Sequence, residues 1–221
     1  MWYRLNRFFF RVWFSLAFGF RIEGRQHEPR PPYILVANHA SAVDIPLVAI
    51  AARAPVAFAA KGDLLKIPAV AWWIRSVGSF FVRRGEPDRE AVRTALGLLG
   101  RGRVVGIFAE GTRSLDGRLQ PFEEGAAYLA LKAGVPVLPV GIAGSHRTMP
   151  VGARGVRRSP VLVRIGPPLA VPRAVGRLAR DVILEWTRRL RQAVAELLPP
   201  EQRPLTDPAL ETTYSQRSRP R

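Results

Sequence analysis

His39 and Asp44 close the segment Leu35-Val-Ala-Asn-His-Ala-Ser-Ala-Val-Asp44, where an apolar β-like run gives way to a helical pattern. An aspartate five positions after a histidine can turn back and accept the Nδ1–H. That pairing fixes the imidazole tautomer and leaves Nε2 free to take a proton. A His–Asp pair with no nucleophile attached is equipment for activating a substrate's own hydroxyl. The alternative is a structural histidine beside an N-capping aspartate. A second segment, Val104-Val-Gly-Ile-Phe-Ala-Glu-Gly-Thr-Arg-Ser114, runs a buried strand into a glycine turn. Its exposed amides, Thr112, Arg113 and Ser114 offer donors suited to a phosphate; the plain reading is a strand-to-loop turn with a surface arginine. A third, Gly78-Ser-Phe-Phe-Val-Arg-Arg84, is an apolar strand ending in fixed cations, which taken alone reads better as a solvated strand end in an Arg-rich protein. In the fourth, Val135-Pro-Val-Leu-Pro-Val140, two prolines remove ladder donors, so this strand is expected at an edge or a bulge.

The elements that carry these segments follow from periodicity. Short β-rich runs occur at Tyr33–Ala37, Val56–Ala60, Ser79–Val82, Val104–Phe108, Val135–Ile142 and Val161–Ile165. Helical patterns lie between them. One opens at Pro87, with Asp88 and Glu90 in its first turn and Gly100 or Gly102 beyond its end. Another covers about Phe122 to Lys132 and stops at Gly134. A long one spans Val175–Leu198, with Leu178, Val182, Trp186, Leu190, Val194 and Leu197 as its apolar stripe. Such alternation predicts an α/β layered domain with a largely parallel sheet.

The 221 residues suffice for one domain with a full core. There is no cysteine, which excludes disulfides, thiol catalysis and thiolate zinc sites. Lys+Arg number 34 against 17 Asp+Glu, a formal charge of +17, so the chain favours anionic partners. No stretch reaches the roughly 20 apolar residues that span a bilayer. Residues 2–20 come closest: Arg4, Arg7 and Arg11 line one helical face, and Trp2, Leu5, Phe9, Val12, Trp13, Leu16 and Phe20 fill the others. That pattern suits an amphipathic helix over residues 1–22 lying in the headgroup layer of an anionic membrane. The alternative is a first helix packed on the domain's own core. Residues 23–200 form the main domain, and 201–221, polar and ending in Arg217, Arg219 and Arg221, read as a disordered basic tail.

Together the four segments resemble the glycerolipid acyltransferase family, in its lysophosphatidic acid acyltransferase branch. The family's ordered blocks stand here as Asn38-His39…Asp44, Gly78…Arg84, Phe108-Ala-Glu-Gly-Thr-Arg-Ser114 and Val135…Val140, and Lys61, Ile67-Pro68 and Trp72-Trp73 between them also match. The resemblance implies an αβα sandwich with a largely parallel mixed sheet. It also implies that His39 is the catalytic base and Asp44 its orienting carboxylate. Arg84, Glu110, Gly111 and Arg113 match positions that bind the acceptor's glycerol phosphate, and Thr112 and Lys61 are counted with them as substrate-binding. The acyl group would come from acyl-CoA or acyl carrier protein as co-substrate, with no other cofactor, and would pass to the free hydroxyl of a lysophospholipid, 1-acylglycerol 3-phosphate, giving phosphatidic acid; the alternative is a related acyltransferase acting on another lysolipid or on glycerol 3-phosphate. No metal is implied, because no second histidine or carboxylate cluster sits at ligand spacing. The expected location is the cytoplasmic face of the cell membrane, as a peripheral (monotopic) protein. Three departures stand out: Ala109 replaces the family's proline, Arg83 falls where Asp is frequent, and Glu123 falls where Lys is common.

A nucleic-acid-binding module would share the positive charge, but the aromatics concentrate in the N-terminal segment rather than in a base-stacking sheet motif. A serine hydrolase predicts G-x-S-x-G, which is absent. His27 reads as exposed in a proline-flanked loop, and His146, in Gly-Ser-His-Arg, follows a strand and could border the site.

Overall fold

The computed structural model describes residue 12 and residues 19–61, 79–82, 88–153 and 155–205, with backbone alone for residues 60, 61, 81 and 82. Within them lies a seven-stranded sheet. Its strands are β1 (Arg21–Glu23), β2 (Ile34–Ala37), β3 (Val56–Lys61), β4 (Phe80–Val82), β5 (Val104–Phe108), β6 (Val137–Ala143) and β7 (Leu162–Ile165). The order across the sheet is β1-β7-β6-β2-β5-β3-β4. Every neighbouring pair is parallel except β6–β7. The helices are α1 (Asp44–Ala51), α2 (Arg89–Gly100), α3 (Gly125–Ala133), α4 (Ser145–Thr148) and α5 (Arg180–Glu196).

The period-two alternation of strand side chains divides the core into two layers. Leu35, Ala37, Phe58, Phe108, Leu138 and Val140 face α1. Ile34, Val36, Val105 and Val137 face α2, α3 and α5. β2 is buried at every position because both its faces are covered, which is why it reads as a continuous apolar run. This is the expected α/β sandwich with a largely parallel sheet. Among the described residues no helix is long and apolar enough to cross a membrane.

Several boundaries differ from the sequence expectation, each for a physical reason. The helix expected over 1–22 falls almost wholly outside the described residues, but its last two positions, Arg21 and Ile22, belong to β1 and pair with Leu162 and Val163. Asp88 does not sit in the first turn of α2; it caps it, its carboxylate accepting from Glu90 N at 3.1 Å and Ala91 N at 3.0 Å. α3 ends as predicted at Gly134, left-handed at φ 62. The tail expected to be disordered from residue 201 begins ordered: Pro200–Gln202 form a 3-10 turn and Gln202 is buried.

The proline-containing strand is not at an edge. β6 lies between β2 and β7, with Pro139 in register opposite Val36. It meets the bulge alternative instead: Gly166 N donates to Pro139 O at 3.0 Å, the reciprocal donor is the one a proline lacks, and the antiparallel pairing resumes at Val137 and Leu169 with an extra residue on the β7 side. The stripe expected on the last helix also shifts. Steps of four residues advance about 40° beyond a full turn each time, so such a stripe drifts off the buried face. α5 buries Ile183, Trp186, Leu190 and Val194, followed by Leu198, while Val182 is 41% exposed.

This face assignment is testable. Leu190→Ala, which empties a fully buried site, is expected to cost about 2–5 kcal/mol in denaturant unfolding. Val182→Ala is expected to stay within about 0.5 kcal/mol. Equal losses at both positions would return Val182 to the core face.

Candidate active site

The site forms where β2 runs out. Asn38 stops the strand by imitating it: its side chain donates from Nδ2 to Ile142 O at 3.0 Å and accepts at Oδ1 from Ile142 N at 2.7 Å. The β2–β6 pairing is thereby continued through a side chain, and the backbone is released to turn at His39. The turn closes on Asp44, the first residue of α1, which is 0% exposed. Asp44 Oδ2 accepts from His39 Nδ1 at 2.9 Å, Ala40 N at 2.7 Å and Ser41 N at 2.8 Å. A carboxylate oxygen can only accept, so the imidazole carries its proton on Nδ1 and presents Nε2 as an acceptor. The pairing expected from the five-residue spacing is therefore formed.

α1 is itself anchored so that Asp44 stays in place. Arg25 caps its last turn, donating from Nε to Ala51 O at 3.0 Å and from Nη2 to Ile50 O at 2.8 Å. The Glu28 carboxylate accepts from Arg53 N, Ala54 N and Tyr33 Oη, tying the segment after α1 to the start of β2. Pro46 is harmless in the first helical turn, where its missing N–H has no partner to lose.

The His39 ring is held from one side by Phe108, with centroids 4.2 Å apart at 23°, and Phe58 stacks on Phe108 at 5.7 Å. Neither phenylalanine was legible as a site residue. The signal lies in the register, which sets Phe108 beside Ala37.

Glu110 differs from its expected place among the acceptor contacts. Its side chain turns inward, accepting from His39 N at 2.7 Å on Oε1 and from Gln120 N at 3.1 Å on Oε2. Both oxygens are committed to backbone, so Glu110 positions His39 rather than meeting solvent. Burial pushes its carboxyl up to about 8, against the opposite pull of the His39 and Gln120 N–H donors.

The loop after β5 is folded by its own polar groups. Gly111 is left-handed at φ 69, and a Cβ there would meet Glu123 Cγ at 3.1 Å. Ser114, expected as a phosphate donor, is buried and spent: its N–H donates to His39 O at 2.8 Å and its hydroxyl to Asp116 Oδ1 at 2.9 Å. Gly111 N is likewise turned to Phe108 O at 3.3 Å. Thr112 is exposed and Arg113 half-buried, and among the described residues their side chains make no hydrogen bond or ion pair. They are the donors this loop leaves available. Gln202 braces the loop from below: its Nε2 donates to Gly117 O at 2.9 Å, its Oε1 accepts from Gly144 N at 2.8 Å, and its carbonyl accepts from Leu119 N at 2.9 Å.

Other expected residues fall elsewhere. Lys61 ends β3 with its side chain outside the described residues, and Arg83 and Arg84 lie outside them altogether. His27 is not simply exposed; it is half-buried, with Nδ1 2.9 Å from Ile165 O. His146 lies on α4 beneath the loop, close enough to Gly117 that a Cβ there would meet its Cγ at 2.5 Å. Desolvation, aided by Arg147, lowers its pKa.

The position of Glu110 carries a pH signature. Its folded pKa lies above the ordinary 4.5, so between those values the folded chain holds one more proton than the unfolded chain. Unfolding free energy then falls as pH rises. The stability this group contributes is fully present below about 4.5 and lost above about 8. Denaturant midpoints measured across that interval are expected to fall more steeply for the wild type than for Glu110→Gln. Parallel profiles would mean that Glu110 is ionised in the fold.

Comparison with known proteins identifies the family. The family model described as Acyltransferase matches residues 19–143, more than half of the chain. A chloroplastic 1-acyl-sn-glycerol-3-phosphate acyltransferase of Brassica napus is 31% identical over 161 residues, covering 69% of this chain and 46% of its own length. A lyso-ornithine lipid O-acyltransferase of Pseudomonas aeruginosa is 38% identical over 141 residues, covering 63% of this chain and 53% of its own. The chain thus spans about half the length of these two relatives. A crystal structure of the 1-acyl-sn-glycerophosphate acyltransferase PlsC from Thermotoga maritima superposes with a TM-score of 0.73 at 32% identity, covering 88% of this chain and 79% of that one. On the matched family model, which embraces the strand ends, His39, Asp44 and the glycine turn alike, the chain belongs to the Acyltransferase family.

Proposed function

We propose that the protein transfers a fatty acyl group from an acyl thioester, carried on CoA or acyl carrier protein, to the free hydroxyl of 1-acylglycerol 3-phosphate, yielding phosphatidic acid. The observation that carries this reading is the His39 Nδ1–Asp44 Oδ2 pair at 2.9 Å, whose Nε2 has no hydrogen-bond partner among the described residues. In that arrangement Nε2 takes the proton of the acceptor hydroxyl as its oxygen attacks the thioester carbonyl. The C–S bond then breaks, and the proton passes from His39 to the leaving thiolate. Asp44 stabilises the imidazolium formed between the two transfers. Arg113 and Thr112 receive the acceptor phosphate, Arg113 as a fork of charge-assisted donors. Arg84 and Lys61 belong to the same proposed set.

The reading also places the enzyme at a membrane surface. Its support is the N-terminal stripe of Arg4, Arg7 and Arg11 opposite aromatic residues, in a chain of formal charge +17. One observation favours a second acceptor. Glu123, where the resemblance leads one to expect lysine, packs against Gly111, two residues before Arg113 in the chain. A carboxylate there suits an acceptor with a cationic head group, and one relative is named for a lyso-ornithine lipid.

Substitutions and a substrate competition test these assignments. His39→Ala is expected to keep the fold and lower kcat by about 10²–10⁴-fold or more. Asp44→Asn is also expected to lower kcat substantially, because an amide lets the imidazole take the wrong tautomer; near-normal turnover in folded His39→Ala would remove the mechanism. Arg113→Lys is expected to raise KM for the lysophospholipid more than for the thioester, since an ammonium cannot reproduce the bidentate fork; equal effects on both substrates would refute the phosphate assignment. Offering the purified protein 1-acylglycerol 3-phosphate and an amino-bearing lysolipid together, with lipid mass spectrometry as readout, decides between the acceptors.

A further inference from the structure

Apolar side chains protrude into solvent from the loops around the site. Leu115, two residues after Arg113, is 83% exposed, and Val151 and Val156, between α4 and β7, are 39% and 41% exposed. These two loops adjoin: His146 of α4 packs against Gly117, and Arg157 N donates to Thr148 O at 2.7 Å, folding the second loop back on α4. Arg147, Arg157 and Arg158 are exposed along the same stretch.

The sheet decides which way these loops point. Because β7 runs against β6, its first residue Leu162 pairs with Ala143, the last of β6. β1 is parallel to β7 and begins level with it: Arg21 pairs with Leu162 and donates from its N–H to Val161 O at 3.0 Å. β1 therefore begins at the end of the sheet where the two loops leave it. This is also the end at which His39 follows β2. The opposite end carries an apolar residue of its own, Val175 at 93% exposure, next to Gly176, whose carbonyl accepts from Lys132 at the end of α3.

We infer that Leu115, Val151 and Val156, ringed by Arg147, Arg157 and Arg158, form a lipid-facing rim that seats the active-site end of the sheet on an anionic bilayer. The inference rests on the reading above that the acceptor is a lipid, and it adds a second contact besides the N-terminal segment. The apolar tips enter the acyl boundary while the arginines stay at phosphate level. The acceptor then reaches His39 from the leaflet without crossing water. An acidic carrier protein would use the arginines but leave Leu115 in solvent, so the exposed leucine favours the bilayer.

The cysteine-free sequence makes a direct test simple. Leu115→Cys, Val156→Cys and Val175→Cys in the full chain each accept a single solvatochromic fluorophore. With vesicles of phosphatidylglycerol and phosphatidylcholine, the labels at 115 and 156 are expected to shift blue and brighten, and the label at 175 to stay unchanged. Arg157→Gln with Arg158→Gln is expected to reduce co-sedimentation at low salt by about 25-fold, at roughly fivefold per arginine, and by less at high salt. Turnover of a short-chain soluble acceptor by that variant is expected to match the wild type. Silent labels at 115 and 156 on a protein that still co-sediments would overturn the rim while leaving the membrane reading intact; failure of the wild type to co-sediment would remove both. Labels that respond to acyl carrier protein but not to vesicles would replace the rim with a protein-docking surface.

Discussion

The site depends on one buried oxygen. Asp44 Oδ2 lies out of solvent and accepts three N–H groups, from His39 Nδ1, Ala40 and Ser41. A carboxylate removed from water costs several kcal/mol unless donors replace its hydration. Here the strand-to-helix turn supplies them. That requirement fixes the turn, and the turn fixes the imidazole. Moving His39 would leave this oxygen with only the Ala40 and Ser41 donors, so the histidine's tautomer and position are tied to the turn itself. The anchoring of α1 through Arg25 and Glu28 serves the same end from the far side of the helix.

Glu110 works on the same backbone from the neighbouring strand. β2 and β5 are parallel and in register at Ala37 and Phe108, so the residues following each strand end come side by side. One Glu110 oxygen receives His39 N and the other receives Gln120 N. The two segments that the sequence sets 71 residues apart are thereby joined by a single side chain. Two carboxyl groups thus do different work. Asp44 holds the ring and Glu110 holds the main chain beneath it.

The loop after β5 shows how selectively its donors are released. Ser114, Asp116, Gln120 and Gln202 satisfy one another and the backbone, which rigidifies the loop without using Thr112 or Arg113. A phosphate site works best when its cation is presented by a frame that need not reorganise. The placement at the carboxyl ends of parallel strands follows the general rule for open α/β sheets. The reversal of β7 also brings the start of β1 to that same end.

Much of this was legible in the residues. Period-two and helical patterns placed the layered sheet, Gly134 marked the end of α3, and the spacing of His39 and Asp44 foretold their pairing, because each is a local property of a few consecutive residues. The rest was not local. Whether Val182 or Ile183 faces inward depends on what α5 packs against. Pro139 sits inside the sheet because the pairing on the β7 side slips by a residue beside it. The inward turn of Glu110, the burial of Ser114, the stacking of Phe108 on His39 and the brace from Gln202 all join residues far apart in the chain. A sequence fixes which groups can donate, accept or ionise. Which of them are consumed in holding the structure, and which remain for a substrate, is settled only when strand register and helix packing bring their partners within 3 Å or so.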